Sequence, residues 1–331
     1  MMTNRSLVLD SRPEGKVESR HFRMVEAPVA ALREEQVLIR NLFLSLDPYM
    51  RGRMSAAKSY AVPQEIGVTM GGGTVGEVVE SRHSSFKPGD KVVGMGGWQL
   101  YAINDGAGLR KVDDSRVPLS AFLGVAGMPG VTAWYGLNKI IAPKPGETIL
   151  VSAATGAVGS VVGQLAKAAG ARAVGIAGGP DKCRYAVETL GYDACVDHKS
   201  SSFAADLAAA LPHGIDGLFE NVGGVPFTTA IEHLNHLSRV AICGLIASYQ
   251  GAPTTLPNMH IFLRVRFKME GFIVSDHLDL WPDAIAALTD LVANGKLTYR
   301  ETIAEGLDAA PAAFIGLLDG QNLGKQLVKL V

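Results

Sequence analysis

Small residues at a fixed spacing follow an apolar run near the middle of the chain. Ala154-x-Gly156-x-x-Gly159 comes directly after Thr148–Ser152, which we predict to be a strand, and opens an apolar helical period that continues to Ala169. In such a unit small residues let the backbone approach a pyrophosphate, which the free N–H groups at the helix N-terminus bind. Alanine replaces the usual first glycine, but the position between a strand and a helix strengthens the pattern. It predicts a dinucleotide site, with a glycine-rich packing turn as the alternative.

The residues after the second predicted strand indicate which dinucleotide would bind. An NAD site normally has an acidic side chain about 20 positions beyond the glycines, where it binds the ribose 2′-hydroxyl. The predicted strand Arg172–Ala177 is followed instead by Gly178-Gly179, and the cations Lys182 and Arg184 come next. Paired cations suit a 2′-phosphate, so the pattern favours NADPH over NADH. The alternative is a solvated helix face.

Composition and charge disfavour several classes of partner and site. The 331 residues carry a formal net charge of −1 at pH 7, with a pI near 6.7, so a basic surface for nucleic acid or anionic membrane is not expected. The first residues lack the apolar core of a signal peptide, and we predict a cytoplasmic protein without membrane spans. Cys183, Cys195 and Cys243 are widely spaced, as expected of reduced thiols, and they predict neither a disulfide framework nor a zinc site.

The elements around these residues follow two patterns. Residues 1–125 are mostly short strands punctuated by Gly and Pro, whereas helices and strands alternate from Met128 onward. Six strands with crossover helices predict an α/β fold, a Rossmann-type doubly wound parallel sheet. We assign 128–295 to this nucleotide domain. A β-rich substrate domain takes 1–127 and 296–331, because the last segment returns to strand character.

Three of the predicted strands end in segments that would face a ligand. Ligands of a doubly wound sheet lie beyond the carboxyl ends of its strands, so we expect these segments to line the site. For strands four, five and six they are Asn221–Gly224, Cys243-Gly244 with the loop to Tyr249, and Phe272–Val274. A helix at 226–237 and a sixth strand at 269–274 complete the prediction in this region.

Segments spread over the whole chain resemble, in order, those of one enzyme family. They are LSLDPYMRGRM (44–54), GMPGVTAWYGL (127–137), AATGAVGSVVGQLAK (153–167), ENVGG (220–224), ICGLIASY (242–249), GFIV (271–274) and GQNLGK (320–325). The chain resembles the zinc-independent medium-chain dehydrogenase/reductases, in the branch of the prostaglandin and leukotriene reductases, plant alkenal double-bond reductases and bacterial NADPH-dependent curcumin reductases. The resemblance implies that the N-terminal β-rich domain is GroES-like and that the protein is a homodimer joined through the nucleotide domain.

The resemblance also implies an activity and the residues that bind NADPH. The activity is reduction of the carbon–carbon double bond of α,β-unsaturated ketones or aldehydes, by hydride transfer to the β-carbon. His198 stands where many relatives have a tyrosine that touches the 2′-phosphate, so phosphate affinity would depend on pH. The other implied cofactor-binding residues are Gly156, Ala157, Val158 and Gly159 for the pyrophosphate, Lys182 for the 2′-phosphate, Phe272, Ile273 and Val274 for the nicotinamide amide, and Asn221, Cys243, Gly244 and Asn322 along the rest of the molecule.

Two tyrosines are candidates for stabilising the enolate that forms during this reduction. Tyr249 ends the loop after strand five, beside the expected nicotinamide, and is the main candidate for a hydroxyl donor to the carbonyl oxygen. Tyr49, in a loop of the other domain, is the second candidate. For each, the alternative is that the ring merely packs.

A catalytic metal is not expected. Related alcohol dehydrogenases bind zinc through a Gly-His-Glu segment, and this chain has Met70–Gly73 in its place. His233-x-x-His236, on the predicted helix, has no third ligand, and no HExxH or GxSxG occurs. The sequence therefore predicts a zinc-free reductase. The alternatives are a quinone reductase of the same fold and a non-catalytic dinucleotide-binding protein.

Overall fold

The structure, a computed structural model, describes residues 2–252 and 259–331. These residues form two compact units. The N-terminal unit comprises the chain up to Gly124 together with Glu301–Val331, and the central unit comprises Val125–Arg300. The assignment of substrate to one domain and cofactor to the other stays a prediction.

The N-terminal unit is built mainly of strands. They are β1 (Thr3–Leu9), β2 (Phe22–Pro28), β3 (Val37–Ser45), β4 (Thr74–Ser81), β5 (Lys91–Gly94), β6 (Tyr101–Asn104), β7 (Arg110–Lys111), β14 (Glu301–Glu305) and β15 (Lys325–Lys329). β1 pairs with β2, and a larger sheet has the order β14-β15-β3-β4-β5-β7, with β6 on β3. β15 runs antiparallel to β3, so the strand character of the C-terminal segment is confirmed.

The core of the N-terminal unit is centred on three aromatic rings. Trp98 and Phe314 are fully buried. Trp98 stacks on Phe22 with 5.3 Å between ring centroids and meets Phe314 edge-on at 5.6 Å. Phe314 belongs to α9 (Ala310–Leu318), while α1 (Tyr49–Arg53) packs its Met50 into the same core. Both ends of the chain therefore contribute to one core.

The central unit is a doubly wound parallel sheet. Its strands are β8 (Thr148–Ser152), β9 (Arg172–Ala177), β10 (Ala194–Asp197), β11 (Ile215–Glu220), β12 (Leu234–Ile242) and β13 (Lys268–Gly271). They run parallel in the order β10-β9-β8-β11-β12-β13, which is the order of a dinucleotide-binding fold. The predicted fold class is confirmed.

Helices cover the parallel sheet. They are α2 (Met128–Tyr135), α3 (Gly159–Ala168), α4 (Pro180–Glu188), α5 (Phe203–Ala210), α6 (Gly224–Ala230), α7 (His260–Val265) and α8 (Trp281–Ala293). Because helices lie over both faces of a parallel sheet, its central strands are shielded from solvent, and every residue of β8 is buried. Among the described residues, no helix is both long and apolar enough to cross a membrane.

The structure differs from the prediction between β11 and β12. The helix predicted at 226–237 ends at Ala230, a 3-10 turn covers Ile231–His233, and the chain is already a strand at Leu234. Apolar residues at 231, 234 and 237 have helical spacing, but Leu237 is 60% exposed and has a left-handed φ of 61°. The helix prediction was therefore wrong from Ile231 onward, where the chain turns into β12 and is in continuous register with β11 only from Arg239.

Candidate active site

The glycine turn between β8 and α3 is tightly packed. A Cβ atom on Gly159 would lie 2.3 Å from the carbonyl oxygen of Ala153, so a side chain does not fit there. The hydroxyl of Tyr192 donates a 2.7 Å hydrogen bond to the Gly159 carbonyl and anchors the first turn of α3. Residues 156–158 stay partly exposed. Because the first N–H groups of a helix have no partner within the helix, this turn is suited to bind a phosphate group.

Three basic side chains lie together at the carboxyl ends of β9 and β10, and we call Lys182, His198 and Lys199 the phosphate cluster. A Cβ atom on Gly178 would lie 3.0 Å from His198 Nε2 and 3.2 Å from Lys199 Cε. Burial and then the charge of Lys199 lower the pKa of Lys182. Burial also lowers the pKa of His198, against the opposing effect of Asp197. A bound anion would relieve the repulsion between these groups, so the cluster fits a 2′-phosphate.

Asp197 links the turn before α4, the helix of Lys182, to the segment after β10 that carries His198 and Lys199. Its Oδ1 accepts hydrogen bonds from the N–H of Gly179 at 2.7 Å and the N–H of Lys199 at 2.9 Å. Arg184 is ion-paired with Asp181 on the exposed side of α4, so Lys199 is the second cation that the structure brings to Lys182. Lys199 was not among the residues predicted from the sequence, although a cation so soon after an apolar strand was a usable signal.

The end of β11 is tied to the end of β8. The backbone N–H of Asn221 donates to the hydroxyl of Ser152 at 2.7 Å, and its side-chain amide donates to the Ser152 carbonyl at 2.7 Å. Ser152 in turn donates to Oε1 of Glu220 at 2.9 Å. The Asn221 side chain is therefore held in one orientation, and its contact with a cofactor stays a prediction.

Glu220, the last residue of β11, is fully buried and was not predicted as a site residue from the sequence. Its Oε1 accepts from the N–H of Gly223 at 2.7 Å, while Oε2 has no hydrogen-bond partner in the described structure. Burial raises the pKa of Glu220 to about 7. Burial and the Glu220 charge raise the pKa of Cys243 to about 12, so Cys243 stays a neutral thiol. An acidic residue at the end of an apolar strand was the available signal.

A cleft of about 470 Å³ opens in the central unit beyond β12 and β13. Cys243, Gly244, Phe272 and Ile273, which were predicted to bind the cofactor, line it together with Tyr249. The main catalytic candidate and the predicted nicotinamide-binding residues are thus brought together.

The Tyr249 hydroxyl sits over the backbone at the end of β12. It accepts a 3.3 Å hydrogen bond from the N–H of Leu245. A Cβ atom on Gly244 would lie 3.2 Å from the hydroxyl oxygen, so the absence of a side chain there makes room for the phenol. A phenol can both accept and donate hydrogen bonds, so a hydroxyl at this position has the chemistry of a donor to a ligand in the cleft.

A second tyrosine lines the same cleft. Tyr135, at the end of α2, stacks on His277 with 4.1 Å between ring centroids. Burial and then the charge of Glu270 raise its pKa, so the phenol keeps its proton. The segment around Tyr135 carried part of the family resemblance, but no periodicity in it distinguished this ring from core packing.

Phe272 and Ile273 lie in a loop, and Val274 begins a 3-10 helix that extends to Leu280. The strand predicted at 269–274 was too long, because β13 ends at Gly271. The Val274 side chain is buried, and its carbonyl oxygen accepts a 3.1 Å hydrogen bond from the indole of Trp281. Phe272 packs on Tyr135 with 5.4 Å between centroids. These contacts fix the loop at the edge of the cleft.

Known proteins match this chain along nearly its whole length. Residues 5–112 match a family described as the N-terminal domain of oxidoreductase, and residues 157–293 match the zinc-binding dehydrogenase family. NADPH-dependent curcumin reductase of Escherichia coli (strain K12) is 47% identical over 334 residues, which cover 99% of this chain and 97% of that protein. Prostaglandin reductase 1 of Rattus norvegicus is 41% identical over 340 residues, covering 99% and 100%. The crystal structure of CurA in complex with NADPH from Vibrio vulnificus has a TM-score of 0.95 and 45% identity, with 99% of each chain covered.

The chain belongs to the medium-chain dehydrogenase/reductases. Within that family it lies in the branch that contains the curcumin and prostaglandin reductases, so the predicted family is confirmed.

The family description matched by residues 157–293 names zinc, so we compared the candidate metal ligands of this medium-chain reductase with the structure. A Cβ atom on Gly72 would lie 3.1 Å from side-chain carbons of Leu44, Met50 and Trp98, so this segment borders apolar core. The placement of His233 and His236 on one helix was wrong, because His236 lies on β12. Within 2–252 and 259–331, no three His, Cys, Asp or Glu side chains are grouped to hold a metal ion.

Two predicted site residues of this medium-chain reductase belong to the N-terminal unit. Tyr49, which was predicted to lie in a loop, is the first residue of α1, and the guanidinium of Arg53 lies 4.9 Å from its ring centroid. Burial and then the charge of Asp47 raise the pKa of Tyr49. The Asn322 side-chain amide donates a 2.7 Å hydrogen bond to the Gly324 carbonyl. The roles of both residues in catalysis or cofactor binding stay predictions.

Proposed function

We propose that the protein uses NADPH to reduce the carbon–carbon double bond of α,β-unsaturated ketones and aldehydes. The observation that carries the proposal is the cleft beyond β12 and β13, where the Tyr249 hydroxyl lies among the predicted nicotinamide-binding residues. Ligands of a doubly wound sheet bind at this edge. An NADPH-dependent curcumin reductase that is 47% identical over 99% of the chain supports both the cofactor and the reaction.

The proposed cofactor site runs from the phosphate cluster to the cleft. NADPH supplies the hydride when it is bound. Residues 156–159 hold its pyrophosphate, and Lys182, His198 and Lys199 hold its 2′-phosphate. Burial and the neighbouring lysines disfavour protonation of His198 in the free protein, and a bound phosphate dianion reverses this, so NADPH affinity rises as the pH falls.

Tyr249 is the proposed catalytic donor. During the reduction negative charge develops on the substrate's carbonyl oxygen, and a positioned hydroxyl that donates to this oxygen stabilises the enolate. The N–H of Leu245 orients the phenol by donating to its oxygen, and with ligands bound the hydroxyl would donate to the substrate or to the nicotinamide ribose. Tyr49 is the second candidate for this role.

The test is NADPH oxidation with a panel of enals, enones, diarylheptanoids and quinones, with the products identified by mass spectrometry. We expect the saturated carbonyl compound in an amount equal to the NADPH consumed, and the same rate after exhaustive chelation. Turnover of quinones alone would establish the quinone reductase alternative. No turnover with any compound, despite NADPH binding, would support a non-catalytic dinucleotide-binding protein.

We further propose that two copies of the chain pair through β13. This strand ends the order of the parallel sheet, and within the described residues its outer edge pairs with no other strand. All four of its residues are exposed, including Met269. An exposed edge favours pairing with a second copy about a two-fold axis, which would join two sheets into one.

The proposed location is the cytoplasm. The cysteines at 183, 195 and 243 are all free, which is usual for a protein of a reducing compartment. Fractionation of the source cells with an antibody to the protein tests this location.

A further inference from the structure

Two cysteines meet beside the phosphate cluster. Cys183 lies near the start of α4, one position after Lys182, and Cys195 lies on β10, two positions before Asp197. The two thiols are hydrogen-bonded to each other. Both are free and partly exposed. Their sulfur atoms are therefore neighbours in the folded protein, although the residues lie apart in the sequence.

The packing of the sheet makes this contact possible. Cys195 pairs in register with Gly175 on β9, and a Cβ atom on Gly175 would lie 3.1 Å from the Cys195 sulfur. The missing side chain leaves room for this sulfur on the face of the sheet. The N–H of Cys183 donates to the Gly179 carbonyl at 3.2 Å, so Cys183 is fixed within the beginning of α4.

The two thiols differ in acidity. The hydrogen bond from Cys195, together with one from the N–H of Ala177, lowers the pKa of Cys183. The hydrogen bond to Cys183 and burial raise the pKa of Cys195. The N-terminal end of α4 also favours a thiolate at Cys183. Cys183 is therefore the nucleophile of the pair, and Cys195 is the protonated partner that can resolve an oxidised Cys183.

We propose that Cys183 and Cys195 form a peroxide-reactive dithiol site whose disulfide lowers the affinity of the protein for NADPH. The Cys183 thiolate attacks one oxygen of hydrogen peroxide, the O–O bond breaks, and Cys183 becomes a sulfenic acid while the second oxygen leaves as water after taking a proton. The Cys195 sulfur then attacks the Cys183 sulfur, the S–O bond breaks, and water leaves with the Cys195 proton. In sum two thiols lose two electrons, and peroxide is reduced to two waters.

The link to NADPH follows from the neighbours of each cysteine, and it rests on the proposed role of the phosphate cluster. A disulfide draws the two sulfurs to about 2.05 Å, closer than a thiol hydrogen bond allows. Formation of the disulfide therefore displaces Cys183, which directly follows Lys182 on α4. It also displaces Cys195 on β10, the strand that directly precedes His198. The cations of the cluster then no longer converge on one phosphate.

The first experiment tests the site itself. The reduced protein is treated with stoichiometric hydrogen peroxide, free thiols are alkylated, and peptides are mapped by mass spectrometry. We expect a Cys183–Cys195 disulfide with Cys243 alkylated, and a dimedone-reactive Cys183 in the Cys195→Ser variant. If Cys183 and Cys195 remain alkylated, or if Cys243 is oxidised before them, the proposal is overturned.

The second experiment tests the consequence by measuring Kd for NADPH and NADH through cofactor fluorescence. Oxidation should raise Kd for NADPH about 10- to 100-fold, as expected for loss of a hydrogen bond to a charged group, with a smaller change for NADH. Dithiothreitol should reverse the effect, and Cys183→Ser should be insensitive to peroxide. A disulfide that leaves the NADPH to NADH preference unchanged overturns the link. Enone turnover by the reduced protein tests the proposed function separately, so failure of one is distinguishable from failure of the other.

Discussion

At the phosphate cluster, Lys182 and Lys199 lie within range of each other's charge, whereas Arg184 on the same helix is ion-paired with Asp181 in solvent. Lys182→Ala and Lys199→Ala should each raise the Michaelis constant for NADPH about 10- to 100-fold, the cost of a lost charge-assisted hydrogen bond, and should change that for NADH little. Arg184→Ala is the matched control and should change neither. If Lys182→Ala raised the Michaelis constants for NADPH and NADH equally, Lys182 would not bind the 2′-phosphate.

The hydroxyl of Tyr249 can be separated from its ring by a conservative change. Tyr249→Phe should lower turnover of an enone at saturating NADPH by roughly 10²–10³, the usual cost of one donor to a developing oxyanion. Cofactor affinity, followed by fluorescence, should stay within a few-fold if the hydroxyl acts on the substrate. The control is Tyr135→Phe, which removes the hydroxyl of the other tyrosine that lines this cleft. Near-normal turnover of the Tyr249 variant would make Tyr249 a packing residue and Tyr49 the next donor to test.

The buried carboxyl of Glu220 should make stability depend on pH. Its pKa is raised from 4.5 to about 7, so the native state binds a proton more tightly than the unfolded chain does. The free energy of unfolding should therefore fall as the pH rises from about 4.5 to about 7, by about 3 kcal/mol from this group, and then level off. In Glu220→Gln this contribution disappears, so its stability should fall less over that interval. Parallel curves for both proteins in urea unfolding would contradict the assignment.

On the scale of elements, a buried ion pair attaches the last strand to the N-terminal unit. Lys325 on β15 donates to Asp47 Oδ1 at 3.0 Å and to the carbonyls of Leu46 at 2.6 Å and Gln326 at 3.0 Å. Its side chain and that of Asp47 are 4% and 8% exposed. The negative charge of Asp47 is thus neutralised by Lys325, a residue that is distant in the sequence.

Lys325→Met should leave this carboxylate buried without its cation and lower the free energy of unfolding by about 3–5 kcal/mol. The exposed pair of Lys16 and Asp319 is the control, because Lys16→Met should cost less than about 1 kcal/mol. Urea unfolding at pH 7 compares the two variants. A similar small cost for both would mean that the buried pair contributes no more than a surface pair.

On the scale of the whole molecule, the proposed pairing of two chains through β13 predicts a dimer that one surface charge weakens. Met269 on β13 and Ile303 on β14 are each 42% exposed, and each lies on the last strand of its sheet. Met269→Arg should shift the protein toward monomer in light scattering at micromolar concentration, because a two-fold axis brings the new charge near its own copy. Ile303→Arg should stay dimeric. A wild-type monomer would refute the pairing.

The sequence by itself determined the local units of the nucleotide-binding fold. The limits of β8 and β9 were predicted to the residue, because buried parallel strands are short apolar runs between glycine or proline turns. The glycine turn after β8 was recognisable for a similar reason, since its spacing is dictated by the backbone itself. The family and fold class followed from segments that each keep their own local pattern.

Only the tertiary structure decided which side chains meet. Lys199 joins Lys182 because β9 and β10 are neighbours in the sheet, and Tyr135 reaches the cleft of Tyr249 from a helix far upstream. Leu237 completes an apolar helical period in the sequence, yet it lies on β12 at an irregularity of the pairing with β11 and is exposed. Burial, and with it the raised pKa of Glu220, depends in the same way on packing between distant segments. Periodicity reports contacts a few residues apart, whereas these features arise from contacts across the sheet.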